Sequence, residues 1–263
     1  MSEAVLSSPP PISARRELGA ALLYVAHVES LLALGIMGSM ATALEWAATL
    51  PWTPSMLALG VARLGPQIYL YLTLRKAARG SLRLPERDDY RDSWDMLIVP
   101  LLQLVAAGAF YVVSLMALAA RALGLSEFFE RVHGRPLALL RRPDALLHTA
   151  LGISVLLLPA TLAASCWSPR VAPLFDPSYG LRRIASDAAT RESWRRTFAL
   201  VCVVALTTFA ADSVGVWVER ALPIPFASDV LHHMLVLGAL MAQARLIGGF
   251  AARARPDEAA APR

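Results

Sequence analysis

A small group of ionisable side chains lies inside long apolar stretches of the sequence. A charged side chain at the centre of a bilayer costs roughly 2.5–3.5 kcal/mol on insertion scales, so such residues mark candidate functional sites. Carboxylate and imidazole groups at that depth can carry protons, bind a cation or hydrogen-bond two helices together. The candidates are His27, Glu29, His148, Asp212, His232 and His233.

The spacing of these residues leaves more than one chemistry open. Glu29 lies near the middle of its apolar stretch, with no Lys or Arg at the same depth. His27 is two residues away, about 200° around a helix, so only one of the two can face a shared site. Asp212 and either His232 or His233 lie on consecutive stretches, so they can meet across a helical hairpin.

A role in tying helices together is favoured over a proton or ion pathway. A metal or haem site is a third and less favoured hypothesis. No two histidines are four residues apart, and no His-Glu-x-x-His motif is present. The sequence also lacks the Gly-x-Ser-x-Gly motif of a hydrolase. We therefore predict no catalytic residue, no metal ligand and no cofactor.

The elements that carry these residues are long enough to cross a bilayer. Of the 263 residues, 56% are hydrophobic, and the mean hydropathy is +0.51, whereas a soluble domain has about 45–50% apolar residues. Because a span needs about 20 mostly apolar residues, the sequence predicts an all-α transmembrane bundle of about six spans. The predicted spans are Leu18–Met40, Ser55–Leu74, Met96–Ala120, Leu146–Ala164, Thr197–Val216 and Val230–Gln243, the last extending a few residues each way.

These spans form one predicted domain, 18–250, after a polar segment, 1–17, and before a disordered tail, 251–263. The six tryptophans all lie near predicted span ends, as expected of side chains at headgroup level. Small residues at four-residue spacing in the first span predict a face for close helix packing. They are Gly35, Ser39 and Ala43.

The distribution of arginine predicts that both termini lie in the cytoplasm. Short cytoplasmic loops are enriched in Lys and Arg. The N-terminal segment, the second and fourth connections and the C-terminal segment are Arg-rich, whereas the first and fifth connections carry little positive charge. The third connection, 121–145, should be outside but is also Arg-rich, so it is an exception or Met96–Ala120 turns back without crossing. Arg245 is expected to reach the cytoplasmic headgroups.

The second connection has an ordered pattern of charges. Pro85 stops any continuation of the preceding helix, and four acidic residues then face the neighbouring arginines. This pattern indicates a locally neutralised loop or, alternatively, a surface for a protein partner.

This loop, RKAARGSLRLPERDDYRDSWD, resembles the cytoplasmic loop of a family of bacterial integral membrane proteins of unknown function. LLLPATLAAS followed by LFDPSYGLRRI resembles the second half of the same family. The family usually has Trp after Leu-Pro-Glu, where this chain has Arg87. The resemblance implies a multi-span membrane fold and supplies no activity. The matching loop residues are Arg79, Gly80, Leu84, Pro85, Glu86, Asp88 and Asp89.

The pattern of apolar and basic residues in 178–191 predicts a short amphipathic helix at the membrane interface. Arg182 and Arg183 lie on or beside its polar face, as in a helix that lies on anionic lipid. The apolar face is weak, so a simple connector helix fits equally well. The apolar positions, at i, i+3, i+4 and i+7, are Leu181, Ile184, Ala185 and Ala188.

These patterns together predict an integral inner-membrane protein that acts as a scaffold or accessory subunit. Its expected partners are the bilayer, anionic lipids at the cytoplasmic face and another membrane protein. One alternative is a small transporter or channel that uses Glu29, Asp212 and His232, and a second is an intramembrane metalloenzyme. Nucleic acid is not expected, because no basic stretch is interleaved with aromatic residues.

The predicted topology can be tested with reporter fusions. Fusions at residue 85 and at the C-terminus should report a cytoplasmic position, and fusions at residues 50 and 224 a periplasmic one, because the Arg-rich segments stay inside. A periplasmic signal at residue 85 would contradict the topology. A cytoplasmic signal at residue 133 would instead reduce the number of spans.

Overall fold

The described part of the chain is entirely α-helical. The structure is a computed structural model that describes residues 13–47, 55–81, 83–86, 121, 124, 157–167, 177–221 and 225–254. The predicted third span, Met96–Ala120, lies outside these residues. The helices within them are α1 (Ala14–Ala26), α2 (Val28–Ala47), α3 (Ser55–Ala78), α4 (Leu157–Trp167), α5 (Pro177–Ser186), α6 (Ala188–Ala221) and α7 (Pro225–Arg253).

Three of these helices contain a segment long and apolar enough to cross a membrane: Val28–Ala47, Ala188–Ala211 and Phe226–Arg253. Many of their large apolar side chains point outward, and soluble monomers rarely expose apolar patches on this scale. The prediction of a helical transmembrane protein is thus confirmed, and the described residues contain three candidate spans. The exposed residues are Val28, Leu31, Leu32, Ile36, Met40 and Trp46 of α2, Val203 and Leu206 of α6, and Phe226, Leu231 and Leu235 of α7.

Most of the helices extend beyond the spans predicted from the sequence. Helix α3 runs through Pro66 without interruption and continues to Ala78. Helix α7 extends its predicted span in both directions and ends at Arg253, inside the segment predicted to be disordered. The first predicted span, Leu18–Met40, is wrong as a single element, because the helix breaks at His27.

Helix α7 lies at the centre of the described bundle and contacts α1, α2, α3 and α6. Its side chain Phe250 is fully buried and packs against the rings of Trp167 and Trp194, with centroid distances of 5.8 and 5.0 Å. The indole N–H of Trp167 donates to the carbonyl of Ala251 at 2.9 Å. These two tryptophans lie near helix ends, as predicted, but their rings are buried in the protein core.

The face of α2 that packs on α7 differs from the predicted one. A Cβ atom at Gly38 would lie 3.2 Å from the Val230 carbonyl oxygen of α7, so the two backbones are close at this residue. Gly35 borders the same contact, but Ala43 is exposed. The predicted series of Gly35, Ser39 and Ala43 is therefore wrong at Ala43, and the closest contact lies at Gly38.

The predicted amphipathic helix is also divided. Helix α5 ends at Ser186, and Asp187 caps α6 by accepting a hydrogen bond from the Thr190 N–H at 2.7 Å. The backbone hydrogen bonds from Thr190 and its neighbours lower the pKa of the Asp187 carboxyl. On α5, Ile184 is buried in the protein core and Gly180 lies against the Ala160 backbone, so the apolar side of this helix faces α4 and the core rather than lipid.

Four helix termini rich in Arg meet at one end of the bundle, which we call the basic end. The start of α1 contacts the end of α7 through an ion pair of 3.2 Å between Glu17 and Arg253. The end of α3 contacts α7 at Gly248, and the start of α6 contacts it through Trp194. Segments far apart in the sequence thus bring their positive charge together. The basic residues are Arg15, Arg16, Arg75, Lys76, Arg79, Arg191, Arg195, Arg196, Arg245 and Arg253.

Two adjacent glycines of α7 provide a test of this packing. A Cβ at Gly248 would overlap the Leu74 carbonyl and lie 2.5 Å from the Ala77 Cβ, whereas a Cβ at Gly249 meets only the end of the Arg253 side chain at 3.8 Å. We expect Gly248→Ala to destabilise the protein by about 1–3 kcal/mol. Gly249→Ala should be neutral or stabilising by up to about 1 kcal/mol, because Ala has the higher helix propensity. Unfolding of the two variants in mixed micelles measures the difference, and equal effects would contradict the close contact.

Candidate functional site

The break between α1 and α2 creates the first polar site. His27 adopts an extended conformation, with φ −63° and ψ 142°, so the two helices are not continuous. The Ser30 hydroxyl donates to the Tyr24 carbonyl at 2.5 Å and so satisfies a carbonyl near the break. Glu29 therefore lies in the first turn of the candidate span Val28–Ala47 and not near the middle of a span.

The same break brings two candidate residues together. The His27 Nδ1 and Glu29 Oε2 atoms are 4.0 Å apart, although both side chains remain largely exposed. The prediction that only one of them can face a shared site is therefore wrong. Its premise, a separation of about 100° per residue, holds only in a continuous helix.

The loop motif after α3 is built on a glycine cap. Gly80 has a positive φ of 76°. Its N–H donates to the Ala77 carbonyl at 2.9 Å, and the Ser81 N–H donates to the Lys76 carbonyl at 3.0 Å. These two bonds form the Schellman arrangement that ends a helix at a left-handed residue. Of the motif residues, Asp88 and Asp89 lie outside the described part of the chain.

Two cations hold this loop against the bundle. The Lys76 ammonium donates to the Leu84 carbonyl at 2.7 Å. The Arg245 guanidinium of α7 donates to the Ser81 carbonyl, and its Cζ lies 5.0 Å from the centroid of the Tyr24 ring. Arg245 was expected to extend to lipid headgroups, but its side chain is half-buried and joins three segments.

A cavity of about 570 Å³ lies between the helix break, this loop and α7. Its lining residues include two arginines, Arg83 and Arg245, and two glutamates, Glu29 and Glu86. The expectation that Glu29 has no cation at its depth is therefore wrong, because two arginines distant in sequence line the same cavity. The remaining lining residues are Ala20, Leu23, Tyr24, His27, Ser30 and Leu84.

A second polar group lies at the opposite end of α2. The Nε2 atom of His233 is 3.4 Å from the Glu45 carboxylate, and both side chains are about three-quarters buried. The Nδ1 atom is 2.8 Å from the Asp229 carbonyl, and Thr42 lies beside the same ring. The two ring nitrogens of His233 thus face the Glu45 carboxylate of α2 and the Asp229 carbonyl of α7, so this side chain joins the two helices.

An aromatic contact closes the same end of the bundle. The Trp46 indole N–H donates to the Asp229 carboxylate at 3.1 Å, and its ring packs edge-on against Phe226 at 5.4 Å. Glu45 and Thr42 were not among the predicted candidates, because they follow the predicted span Leu18–Met40 and lie near the end of α2. Their spacing from Gly38, at i+4 and i+7, would have placed all three on one helix face.

The candidate residues do not form one group. Glu29 and Glu45 are 16 residues apart on α2, which corresponds to about 24 Å along the helix axis. Glu29 therefore cannot share a site with His233, or with His232, whose ring lies 6.0 Å from that of His233. The side chain of Asp212 and all of His148 lie outside the described residues.

The amphipathic helix contributes two more candidate residues. Arg182 is exposed, whereas the Arg183 guanidinium lies 5.2 Å from the Trp167 ring and donates to the Tyr179 hydroxyl at 3.3 Å. Arg183 is thus engaged with protein groups rather than directed solely at lipid.

No family model, curated protein or solved structure matches this chain. Within the described ranges, no three His, Cys, Asp or Glu side chains lie close enough to hold a metal ion.

The pair of Glu45 and His233 predicts a measurable coupling between α2 and α7. In a double-mutant cycle of Glu45→Gln and His233→Gln, we expect a coupling free energy of about 1 kcal/mol, because the two groups are largely removed from water. The matched control is the exposed pair of Glu192 and Arg196, which should give about 0.3–0.5 kcal/mol. Unfolding in mixed micelles measures both cycles. A coupling for the first pair no larger than that of the control would show that the contact does not join the helices.

Proposed function

We propose that this protein is a multi-span scaffold or accessory subunit of a bacterial inner membrane. The main support for the proposal is that the charged side chains of α7 connect this helix to neighbouring elements. The charged contacts between α7 and its neighbours each join two elements of the bundle: Glu17 to Arg253, Glu45 to His233, and Arg245 to the loop after α3. Polar groups used in this way stabilise a fixed arrangement of helices.

The basic end supports a cytoplasmic orientation for both termini. Ten Lys and Arg residues from four segments lie there, and positive charge is retained on the cytoplasmic side of bacterial membranes. Anionic lipids are the proposed partners of this surface, and α5 leads directly into it with Arg182 exposed. The loop from Arg79 to Glu86, ordered by the Gly80 cap, is the proposed contact for another membrane protein and carries the proposed family relationship.

A small transporter is the second candidate, and one observation favours it. The Glu45 carboxylate and the His233 ring lie 3.4 Å apart within two candidate spans, and paired groups of this kind occur in proton pathways. The transporter originally suggested by Glu29, Asp212 and His232 has no support from geometry, because Glu29 and His232 lie near opposite ends of the bundle.

Proton flux separates the two candidates. We expect purified protein in liposomes to give the same proton flux as protein-free liposomes under an imposed membrane potential, measured with an entrapped pH dye. Glu45→Gln should lower stability and leave the flux unchanged, because the pair only joins helices. A wild-type flux above background that is lost in Glu45→Gln, and kept in the surface control Glu192→Gln, would replace the scaffold by a transporter.

A further inference from the structure

We propose that the cavity between the helix break and the loop after α3 binds a phosphoethanolamine group, as carried by a zwitterionic phospholipid. The proposal rests on the membrane placement of the helices and is independent of whether the protein acts as a scaffold.

The position of the cavity suits a lipid headgroup. Its residues His27 and Glu29 lie at the first turn of the candidate span Val28–Ala47. Its residues Arg83 and Arg245 lie at the basic end, where α3 stops and the loop begins. The cavity is therefore at the boundary between apolar helix surface and charged surface, which is the depth of the headgroups.

The charges in the wall match a zwitterion better than a simple ion. An anion alone would meet the carboxylates of Glu29 and Glu86, and a cation alone would meet the guanidinium groups of Arg83 and Arg245. A ligand with a phosphodiester and an ammonium separated by two carbons places one charge against each kind of group. Arg245 donates one N–H to the Ser81 carbonyl, and a guanidinium has five, so it retains donors for a phosphate.

The apolar part of the wall suits the rest of a phospholipid. Leu23 and Leu84 line the cavity, and Leu23 is also exposed on the outer surface of α1. From Val28 to Met40, exposed apolar side chains continue along α2, a length of about 18 Å. That length is close to half of the hydrocarbon core of about 30 Å, so one acyl chain can follow this face.

The size of the cavity agrees with this ligand. At about 570 Å³, it lies within the range of roughly 300–1,000 Å³ that ligand pockets occupy. It is thus large enough for a headgroup with its glycerol, while the acyl chains remain outside along α2.

Native mass spectrometry of the full-length protein tests the proposal. The protein is released from nanodiscs that hold equal amounts of phosphatidylethanolamine, phosphatidylcholine and phosphatidylglycerol, and the retained lipids are counted. We expect phosphatidylethanolamine to be retained about tenfold over phosphatidylcholine, because a trimethylated ammonium cannot donate hydrogen bonds to Glu29 or Glu86. Phosphatidylglycerol has no ammonium group, so we expect it to be retained at the basic end and not in the cavity.

Two variants assign the selectivity to the cavity. Arg83→Gln and Glu29→Gln should each reduce the preference to about twofold or less, since each removes one charge-assisted contact. Both residues are exposed at the surface, so the variants should fold. The matched controls are Arg121→Gln, an exposed arginine outside the cavity and the basic end, and Glu192→Gln, at the start of α6. Both controls should keep the wild-type preference.

A soluble headgroup distinguishes the source of the ligand. If glycerophosphoethanolamine at millimolar concentration displaces the retained lipid, the cavity recognises the headgroup alone and can take it from solution. If it does not, the acyl chains contribute and the ligand is the lipid. Equal retention of phosphatidylethanolamine and phosphatidylcholine, or unchanged selectivity in both cavity variants, would overturn the proposal. None of these readings depends on proton flux, so a failure here is separate from a failure of the scaffold assignment.

Discussion

The close approach of α7 to α3 at Gly248 is the contact on which the rest of the described structure depends. No side chain fits there, because a Cβ would overlap the Leu74 carbonyl. With α7 held in this position, its residue Phe250 reaches the two core tryptophans, and Arg245 reaches the loop. Small residues at helix contacts let backbones pack tightly, which is a main source of helix association where lipid removes the hydrophobic driving force.

Helix α7 also links the two polar groups, which lie at its two ends. Its first half packs on α2, where Gly38 allows the approach that brings His233 to Glu45. Its second half carries Arg245 into the wall of the cavity. The two groups are too far apart to act as one site, so a function for one does not require the other. The Glu45–His233 pair can therefore join helices while the cavity binds a ligand.

Three local structural features together form the cavity. The left-handed conformation of Gly80 turns the chain at the end of α3, and Lys76 and Arg245 then hold the loop by its carbonyl groups. The break at His27 supplies the opposite wall. Loss of any one of them would open the cavity, because each wall is fixed by hydrogen bonds rather than by a continuous helix.

The sequence by itself determined the helical class, the membrane character, much of α3, α6 and α7, and the end of α3 before Pro85. Those features follow from hydropathy and from residues that restrict their own backbone, which are local signals. Only the tertiary structure decided the break at His27, the pairing of Glu45 with His233 and the burial of Trp167. No proline or glycine marks that break, and each of these features depends on a neighbour or partner fixed by packing: Ser30, α7 or Phe250. Contacts between residues distant in the sequence have no counterpart in local periodicity, so composition and spacing could place the candidate residues near the membrane but could not bring them together.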